Sequence, residues 1–413
     1  MPTNEGAFSA SKPRPNSATR VPPPGRVHRG SRVTRVNAPE RAAVIDLEAI
    51  RHNVRRLVQV ASPAAVMAVV KADAYGHGAL PVARAALEAG AAWLGVAHIE
   101  EALPLRAAAL TAPLLAWLHT PDSDFGAAIA ANVDLGCSGW ELPRIVAAAD
   151  LLGRTARIHL KIDTGLGRNG CTLTELPALL ADVARHEAAG QIEVVGIFSH
   201  LAVADEPERP ETDAQLATFL AAVELAHAAG VHPSIRHLAN SPATLTRPDI
   251  HLDLVRTGLA LYGLSPLAGR TPASLGLRPA MTLVTQIAHC KEVPADQGVS
   301  YGLNYRTPTA TTLALVPLGY ADGIPRIATG GPVRVNGVTY PVVGRIAMDQ
   351  MVIDLGEAGL VSGGHSLLGA EAVLFGPGDG GEASVDEWAA AASTINYEVV
   401  TRISPRVPRV YRG

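Results

Sequence analysis

Residues 63–97 read PAAVMAVVKADAYGHGALPVARAALEAGAAWLGVA, and their order decides how the chain folds. An apolar run, Val66–Val70, ends on a lysine, Lys71. An Ala-rich segment with helical spacing, Leu80–Ala89, follows and closes at Gly90, where a helix C-terminal cap belongs. A second apolar run, Ala92–Val96, comes next. The alternation continues with runs at Leu114–Leu118, Val133–Leu135, Ile158–Ile162, Val194–Phe198, Ile235–Leu238 and Leu252–Val255. Between them lie helix-period segments such as Glu141–Leu152, Glu175–Ala189 and Asp213–Ala229, with Gly153, Gly190 and Gly230 at the expected ends. Eight strand candidates separated by helices predict an α/β fold, a TIM-like (β/α)8 barrel. A doubly wound open sheet is the alternative. No GxGxxG follows the first strand, which weighs against its dinucleotide-binding form.

Beyond residue 276 the texture changes. Strand-like runs at Met281–Ala288, Thr312–Val316, Pro332–Val335, Thr339–Val343, Met351–Asp354 and Ala372–Phe375 are punctuated by Gly and Pro, with one helix at 385–392. A mainly β C-terminal domain is expected over 276–413, after a barrel over 39–275. The chain of 413 residues is 48% hydrophobic and 18% charged, enough for a large core. Aromatics are only 4%, so Ala, Val, Leu and Ile must fill it. A net charge of −3 gives no reason to expect a nucleic-acid partner. Residues 1–38 stand apart, with seven basic residues, one acid and six prolines. Without an apolar run they are expected to form a disordered basic tail, and they lack the apolar core of a secretory signal. Cys137, Cys171 and Cys290 are widely spaced and show no CxxC pair, which fits a reducing cytoplasm. No window approaches a membrane span.

In a barrel, chemistry sits where the strands end. The first run ends in Lys71, followed by Tyr75. The fifth ends near Lys161 and leads to Arg168, and the sixth ends in Ser199-His200. The seventh supplies His237 and then Asn240-Ser241, and the eighth Arg256, Gly258 and Leu259. So many basic and hydroxyl-bearing groups on one face predict a pocket for a small anionic ligand. A lysine partly desolvated among cations loses proton affinity, and its free amine can form a Schiff base. With a phosphate cradle at Gly258 and Asn240-Ser241, that combination points to pyridoxal phosphate (PLP). Each feature alone has an ordinary structural reading: a snorkelling lysine, a turn glycine, a packing tyrosine. In the second domain, Tyr301 sits in a loop, and GRIAMDQ (344–350) forms a dense polar turn between two strands.

Nine motifs, in order, now give a resemblance: VVKADAYGHGA (69–79), KIDTGLGRNG (161–170), FSHLAVADE (198–206), HLANSPATL (237–245), VRTGLALYG (255–263), VSYGLNY (299–305), LGYADGIPR (318–326), GRIAMDQ (344–350) and INYEVVTRISPRVPRVY (395–411). From about residue 42 onward the chain resembles the alanine racemase family, PLP enzymes built from a barrel and a β domain. The resemblance implies a homodimer interconverting L- and D-alanine and supplying D-alanine for peptidoglycan. Lys71 would carry PLP and act as one base, and Tyr301 of the partner subunit would be the other. Arg256 would meet the pyridine nitrogen, supported by His237. Tyr75, Ser241, Gly258, Leu259 and Tyr397 would hold the phosphate, beside Asn240, and His200 would lie against the cofactor face. Arg168 and the Met348 amide would face the substrate carboxylate, with Asp349 beside it and Tyr320 narrowing the entrance. In many relatives the lysine matching Lys161 is carbamylated and orients the arginine matching Arg168.

Arginine at the ring nitrogen is chemically telling. It can only donate a hydrogen bond, so the ring stays a weaker electron sink than it would beside a carboxylate. That favours proton exchange over transamination, and it speaks against the rival reading of a diamino-acid decarboxylase on the same fold. A racemase of broader substrate range keeps the same residues. A PLP-binding homeostasis protein needs only a barrel and has no use for Tyr301. Deletion of residues 1–38 is expected to leave alanine racemisation and PLP binding unchanged. A large loss of kcat in that truncation would show that the tail takes part.

Overall fold

The computed structural model describes residues 40–356 and 367–413, so the expected tail, 1–38, lies outside the described residues. The first nine strands are β1 (Ala42–Asp46), β2 (Ala65–Val69), β3 (Trp93–Val96), β4 (Leu114–Ala116), β5 (Asp134–Cys137), β6 (Ala156–Lys161), β7 (Ile192–Phe198), β8 (Ile235–His237) and β9 (Leu254–Thr257). Strands β2 to β9 form a parallel eight-stranded sheet in the order β8-β7-β6-β5-β4-β3-β2-β9. At the seam between the end strands, the Asp253 amide donates to Arg236 O at 3.2 Å and the Arg256 amide to Ala239 O at 2.9 Å. The sheet therefore curls into the expected barrel. Helices cover its outer face because their apolar residues recur at helical spacing. In Leu47–Ala61, capped by Asp46, the buried positions include Ile50, Val54, Leu57 and Ala61. Inside the barrel, Met67, Trp93, Leu115, Val195 and Leu254 pack together.

The remaining strands are β10 (Met281–Gln286), β11 (His289–Val293), β12 (Gly298–Val299), β13 (Tyr305–Arg306), β14 (Thr311–Val316), β15 (Pro332–Val335), β16 (Val338–Val343), β17 (Met351–Asp354), β18 (Glu371–Phe375) and β19 (Arg409–Arg412). A nine-stranded sheet runs β11-β14-β17-β16-β15-β18-β10-β1-β19, so the C-terminal region is mainly β, as expected. The N-terminal strand β1 joins this second sheet, antiparallel to β10 and parallel to β19. A division of the chain at residue 275 thus follows chain order but not strand pairing. Ala42–Ile45 are all buried, and their backbone groups are satisfied by pairing on both edges. Besides β1 and the short pair β12 and β13, two strands had no signal as apolar runs, β11 (HCKEV) and β19 (RVYR). Both lie at the edges of the sheet, where polar side chains meet water. The last barrel strand sits two residues later than the run Leu252–Val255, because the buried polar pair Arg256-Thr257 completes it.

One guanidinium ties the second sheet to the lysine loop of the barrel. Arg409, on β19, donates to Gly76 O at 2.9 Å, and also to Ser404 O at 2.7 Å and Val407 O at 2.9 Å. Replacing it with methionine keeps the stem and leaves these carbonyls without their cation. The expected cost is about 2–3 kcal/mol, from hydrogen bonds to a charged group. Denaturant unfolding of Arg409→Met against the parent chain measures it; equal midpoints would show that the tie contributes nothing.

Candidate active site

The lysine loop is built on unusual backbone. After Lys71, the residues Ala72, Asp73, Ala74 and Tyr75 all have φ between 51° and 54°, one left-handed turn. Such a conformation costs an L-residue roughly 1–2 kcal/mol, so four in a row need strong external fixing. The fixing is visible. The Ala72 amide donates to Glu101 Oε1 at 2.6 Å, the Ala79 amide to Asp73 Oδ1 at 2.7 Å, and the Gly78 amide to Asp73 O at 2.8 Å. Glu101 Oε2 also accepts from the Ala97 and His98 amides, anchoring the turn to the neighbouring strand end. The turn lets Lys71 and Tyr75 line the same cavity, with the lysine Nζ 6.0 Å from the Tyr75 ring centre.

That cavity measures about 450 Å³ and lies at the C-terminal ends of the barrel strands. Lys71, Tyr75, Lys161, Arg168, His200, Asn240, Ser241, Arg256, Gly258, Leu259 and Tyr397 all line it. A larger groove of about 1070 Å³ lies elsewhere, near Asp46, Arg278 and Asp386, and contains none of these groups. At one end of the smaller cavity the Gly258 and Ala260 amides converge on Ser241 Oγ, at 2.9 and 3.3 Å. A Cβ at residue 258 would come within 2.3 Å of the Tyr75 hydroxyl, so only glycine lets the backbone close in here. Backbone amides with the hydroxyls of Ser241, Tyr75 and Tyr397 make a donor-rich cradle suited to a phosphate. Val69, Trp117, Phe198 and Leu259 offer apolar walls for a flat ring. The residues present fit a phosphate-bearing aromatic aldehyde. Among the described residues, no cluster of His, Cys, Asp and Glu is arranged to hold a metal ion.

Arg256 also lines the cavity and is only 7% exposed. Its guanidinium donates to Ser199 O at 2.6 Å, His237 O at 2.7 Å and Leu238 O at 3.3 Å, and reaches His237 Nδ1 at 3.2 Å and His200 Nδ1 at 3.4 Å. Burial lowers its pKa to about 9, which leaves it charged at neutral pH. The cation shapes its neighbours. Burial, then Arg256 and Arg168, bring the Lys161 amine down to about 8. Burial first, and Arg168 next, lower the Lys71 amine, with Glu101 opposing. His200 is held well below the usual histidine range by burial and then by Arg256, so its ring is neutral. Burial, with the charge of Asp205, pushes the Tyr397 phenol up to about 12.

Five expected residues stand outside this cavity, four of them on loops of the β domain. Tyr301 lies 68% exposed beside a separate hollow with Ser300, Ala347 and Gln350. Met348 and Tyr320 are also exposed, and Asp349 pairs with Arg406 at 2.8 Å. The loops carrying them are laced together, the Tyr320 amide donating to Ala347 O at 3.1 Å and the Ala321 amide to Met348 O at 2.9 Å. His237 is fully buried behind Arg256, with Phe198 stacked on its ring at 4.8 Å. Sequence reasoning passed over Trp117 and Phe198, which look like ordinary strand residues, and Glu101, which looks like an ordinary helix-start acid.

Two family models cover most of the chain: the alanine racemase N-terminal domain matches residues 45–266 and the alanine racemase C-terminal domain residues 280–411. The chain belongs to the alanine racemase family. It is 55% identical over 372 residues to the alanine racemase of Frankia casuarinae, covering 89% of this chain and 95% of that one. Among solved structures, alanine racemase from D-cycloserine producing Streptomyces lavendulae superposes with a TM-score of 0.89 at 54% identity, over 91% of this chain and 98% of that one. Alanine racemase from Streptomyces coelicolor A3(2) gives 0.87 at 53% identity, over 90% and 98%. The barrel and the β domain are therefore those of the alanine racemases.

The lysine loop also makes this alanine racemase fold sensitive to acid. His77 is 1% exposed, stacks on Tyr262 at 4.5 Å, and its Nδ1 lies 3.0 and 3.1 Å from Tyr75 O and Ala74 O. Burial lowers its pKa from 6.5 to about 4. The unfolded chain therefore binds one more proton than the native one between those values. Stability rises with pH across that window, falls as pH drops through it, and loses nothing further from His77 below about 4. The contribution is on the order of 3 kcal/mol. Melting temperature followed from pH 7 to pH 4 should drop steeply, and less steeply in His77→Gln; an unchanged slope would assign the acid sensitivity to other groups.

Proposed function

We propose that the chain is a PLP-dependent alanine racemase that interconverts L- and D-alanine as a homodimer. The observation that carries the reading is the set of groups in one cavity: a desolvated Lys71 amine among cations, a cradle of Ser241, Gly258 and two tyrosines, and a buried arginine, not a carboxylate. Lys71, Tyr75, Asn240, Ser241, Gly258, Leu259 and Tyr397 would hold the cofactor, with His200 against its face and Arg256 at its ring nitrogen. When bound, PLP supplies an aldehyde carbon for amine capture and a conjugated ring that accepts the electron pair left by a departing α-proton.

The chain's own residues do the rest. Arg168 offers a planar fork to the substrate carboxylate, and the Met348 amide adds a donor to it. Anchoring that group leaves the Cα–H bond as the one to be broken. Lys71 Nζ takes or returns the proton on one face, and burial among cations lowers its basicity and so raises its share of free amine. The phenol of Tyr301 of the partner subunit serves the opposite face. Tyr301, Met348 and Tyr320 expose large apolar surface in the single chain, and cover by a second copy supports this arrangement. Arg256 gives the ring nitrogen a donor and no proton to keep, which directs the reaction toward proton exchange. D-Alanine formed this way would serve peptidoglycan synthesis in the cytoplasm.

Purified protein supplied with PLP and either enantiomer should reach equal amounts of both, and borohydride should fix the cofactor's mass on the Lys71 peptide; failure of interconversion would defeat the reading. The shared site has its own test. Lys71→Ala and Tyr301→Phe should each be inactive, and mixing them should restore part of the activity, because a hybrid dimer holds one intact site. No recovery after verified subunit exchange would mean that each site is built within one chain.

A further inference from the structure

Strand β6 reads Arg157-Ile158-His159-Leu160-Lys161, and the alternation turns its three basic residues to one side. Lys161 lines the active-site cavity, whereas the buried His159 and, nearer the start of the strand, the half-exposed Arg157 do not. His159 is 0% exposed, in a barrel interior otherwise filled by Met67, Trp93, Leu115, Val195 and Leu254. A histidine in such a place needs partners for both nitrogens. It has them: Nδ1 lies 2.9 Å from His237 Nε2, and Nε2 lies 3.3 Å from Asp134 Oδ2. His237 in turn faces Arg256 through Nδ1 at 3.2 Å. Asp134, only 2% exposed, is held from the other side by Arg157 at 2.9 and 3.3 Å.

This chain of four side chains has one proton arrangement. Arginine can only donate and an ionised carboxylate can only accept. Arg256 therefore donates to His237 Nδ1, His237 Nε2–H donates to His159 Nδ1, and His159 Nε2–H donates to Asp134. Every donor points away from the active site, and both rings are forced into the Nε2–H tautomer. The charges agree. Burial raises the Asp134 carboxyl, but the hydrogen bonds from His159 and Arg157 outweigh it and hold it below its ordinary value. Burial lowers both His159 and His237, so both rings are neutral. Room for the relay is reserved in the backbone. On β7, a Cβ at Gly196 would come within 2.4 Å of His159 Nδ1, inside a strand where a branched residue would otherwise be expected.

We propose that Asp134 and His159 are positioning residues for Arg256: one carboxylate deep in the barrel orients both imidazoles and, through them, fixes the guanidinium that meets the cofactor's ring nitrogen. The proposal rests on the functional reading above for what Arg256 touches, but not for the relay itself. The carboxylate polarises His159 Nε2–H, which makes its Nδ1 a better acceptor, and the same effect passes through His237 to strengthen its hold on Arg256.

Histidine labelled with 15N tests the relay directly, with resonances assigned through His159→Gln and His237→Asn. In the unsubstituted protein, with and without PLP, both residues should show an unprotonated Nδ1 and a protonated Nε2 at pH 7. A protonated Nδ1 on either ring would overturn the proposal, and this measurement needs no variant to fold. In Asp134→Asn, with its thermal transition and cofactor content retained, the His237 tautomer should become mixed and the absorbance of the bound cofactor should shift. There kcat should fall roughly tenfold, the scale on which outer partners of a functional group act, with KM nearly unchanged. Unchanged tautomers, absorbance and kcat in that variant would show that the carboxylate does not act on Arg256. Intact tautomers in a protein that fails to racemise alanine would instead strike the functional reading and leave the relay standing.

Discussion

A buried arginine sets the terms for the rest of the barrel. Arg256 carries its charge into an apolar interior, where an unpaired cation would be prohibitive. Three backbone carbonyls, Ser199 O, His237 O and Leu238 O, turn toward it from the ends of two neighbouring strands. Two histidine nitrogens complete the shell. The cation then shapes the site electrostatically: with burial, it lowers the proton affinity of Lys71, Lys161 and His200. The lowered amines of Lys71 and Lys161 and the neutral ring of His200 thus share two causes, burial and a buried cation.

The second dependence is mechanical. Lys71 reaches the cavity from a left-handed turn that the chain would not adopt on its own. Glu101 and Asp73 hold its amides, and Arg409 holds the Gly76 carbonyl from the second sheet. Because β1 and β19 both lie in that sheet, the two ends of the described chain meet there, and the barrel is docked on it from both sides of the sequence. Local strain at the lysine is therefore balanced by contacts drawn from residues more than three hundred positions away.

The two domains divide the chemistry. The barrel alone lines the cavity with the lysine, both arginine contacts and most of the phosphate cradle, and Tyr397 arrives from the C-terminal helix Asn396–Thr401. Tyr301, Met348, Tyr320 and Asp349 sit instead on laced, exposed loops of the β domain. A racemase needs a base on each face of the substrate, and under the proposed function this separation is what makes a second copy part of the site.

Much of this was legible in the residues themselves. Alternation of apolar runs with helical segments is a local property of short windows, and it placed the barrel strands to within about two residues. The polar groups at strand ends, from Lys71 to Gly258, were readable because a barrel brings those ends together. Edge strands β11 and β19 were not, since their polar faces resemble loops until their partners are known. Nor was the place of β1, because strand pairing across more than two hundred residues leaves no mark in a local pattern. His159, Asp134 and Gly196 each look ordinary in sequence: a strand histidine, a strand-start acid and a strand glycine. Only the closed barrel brings them within hydrogen-bonding or van der Waals reach, because a proton arrangement depends on three-dimensional neighbours rather than chain order.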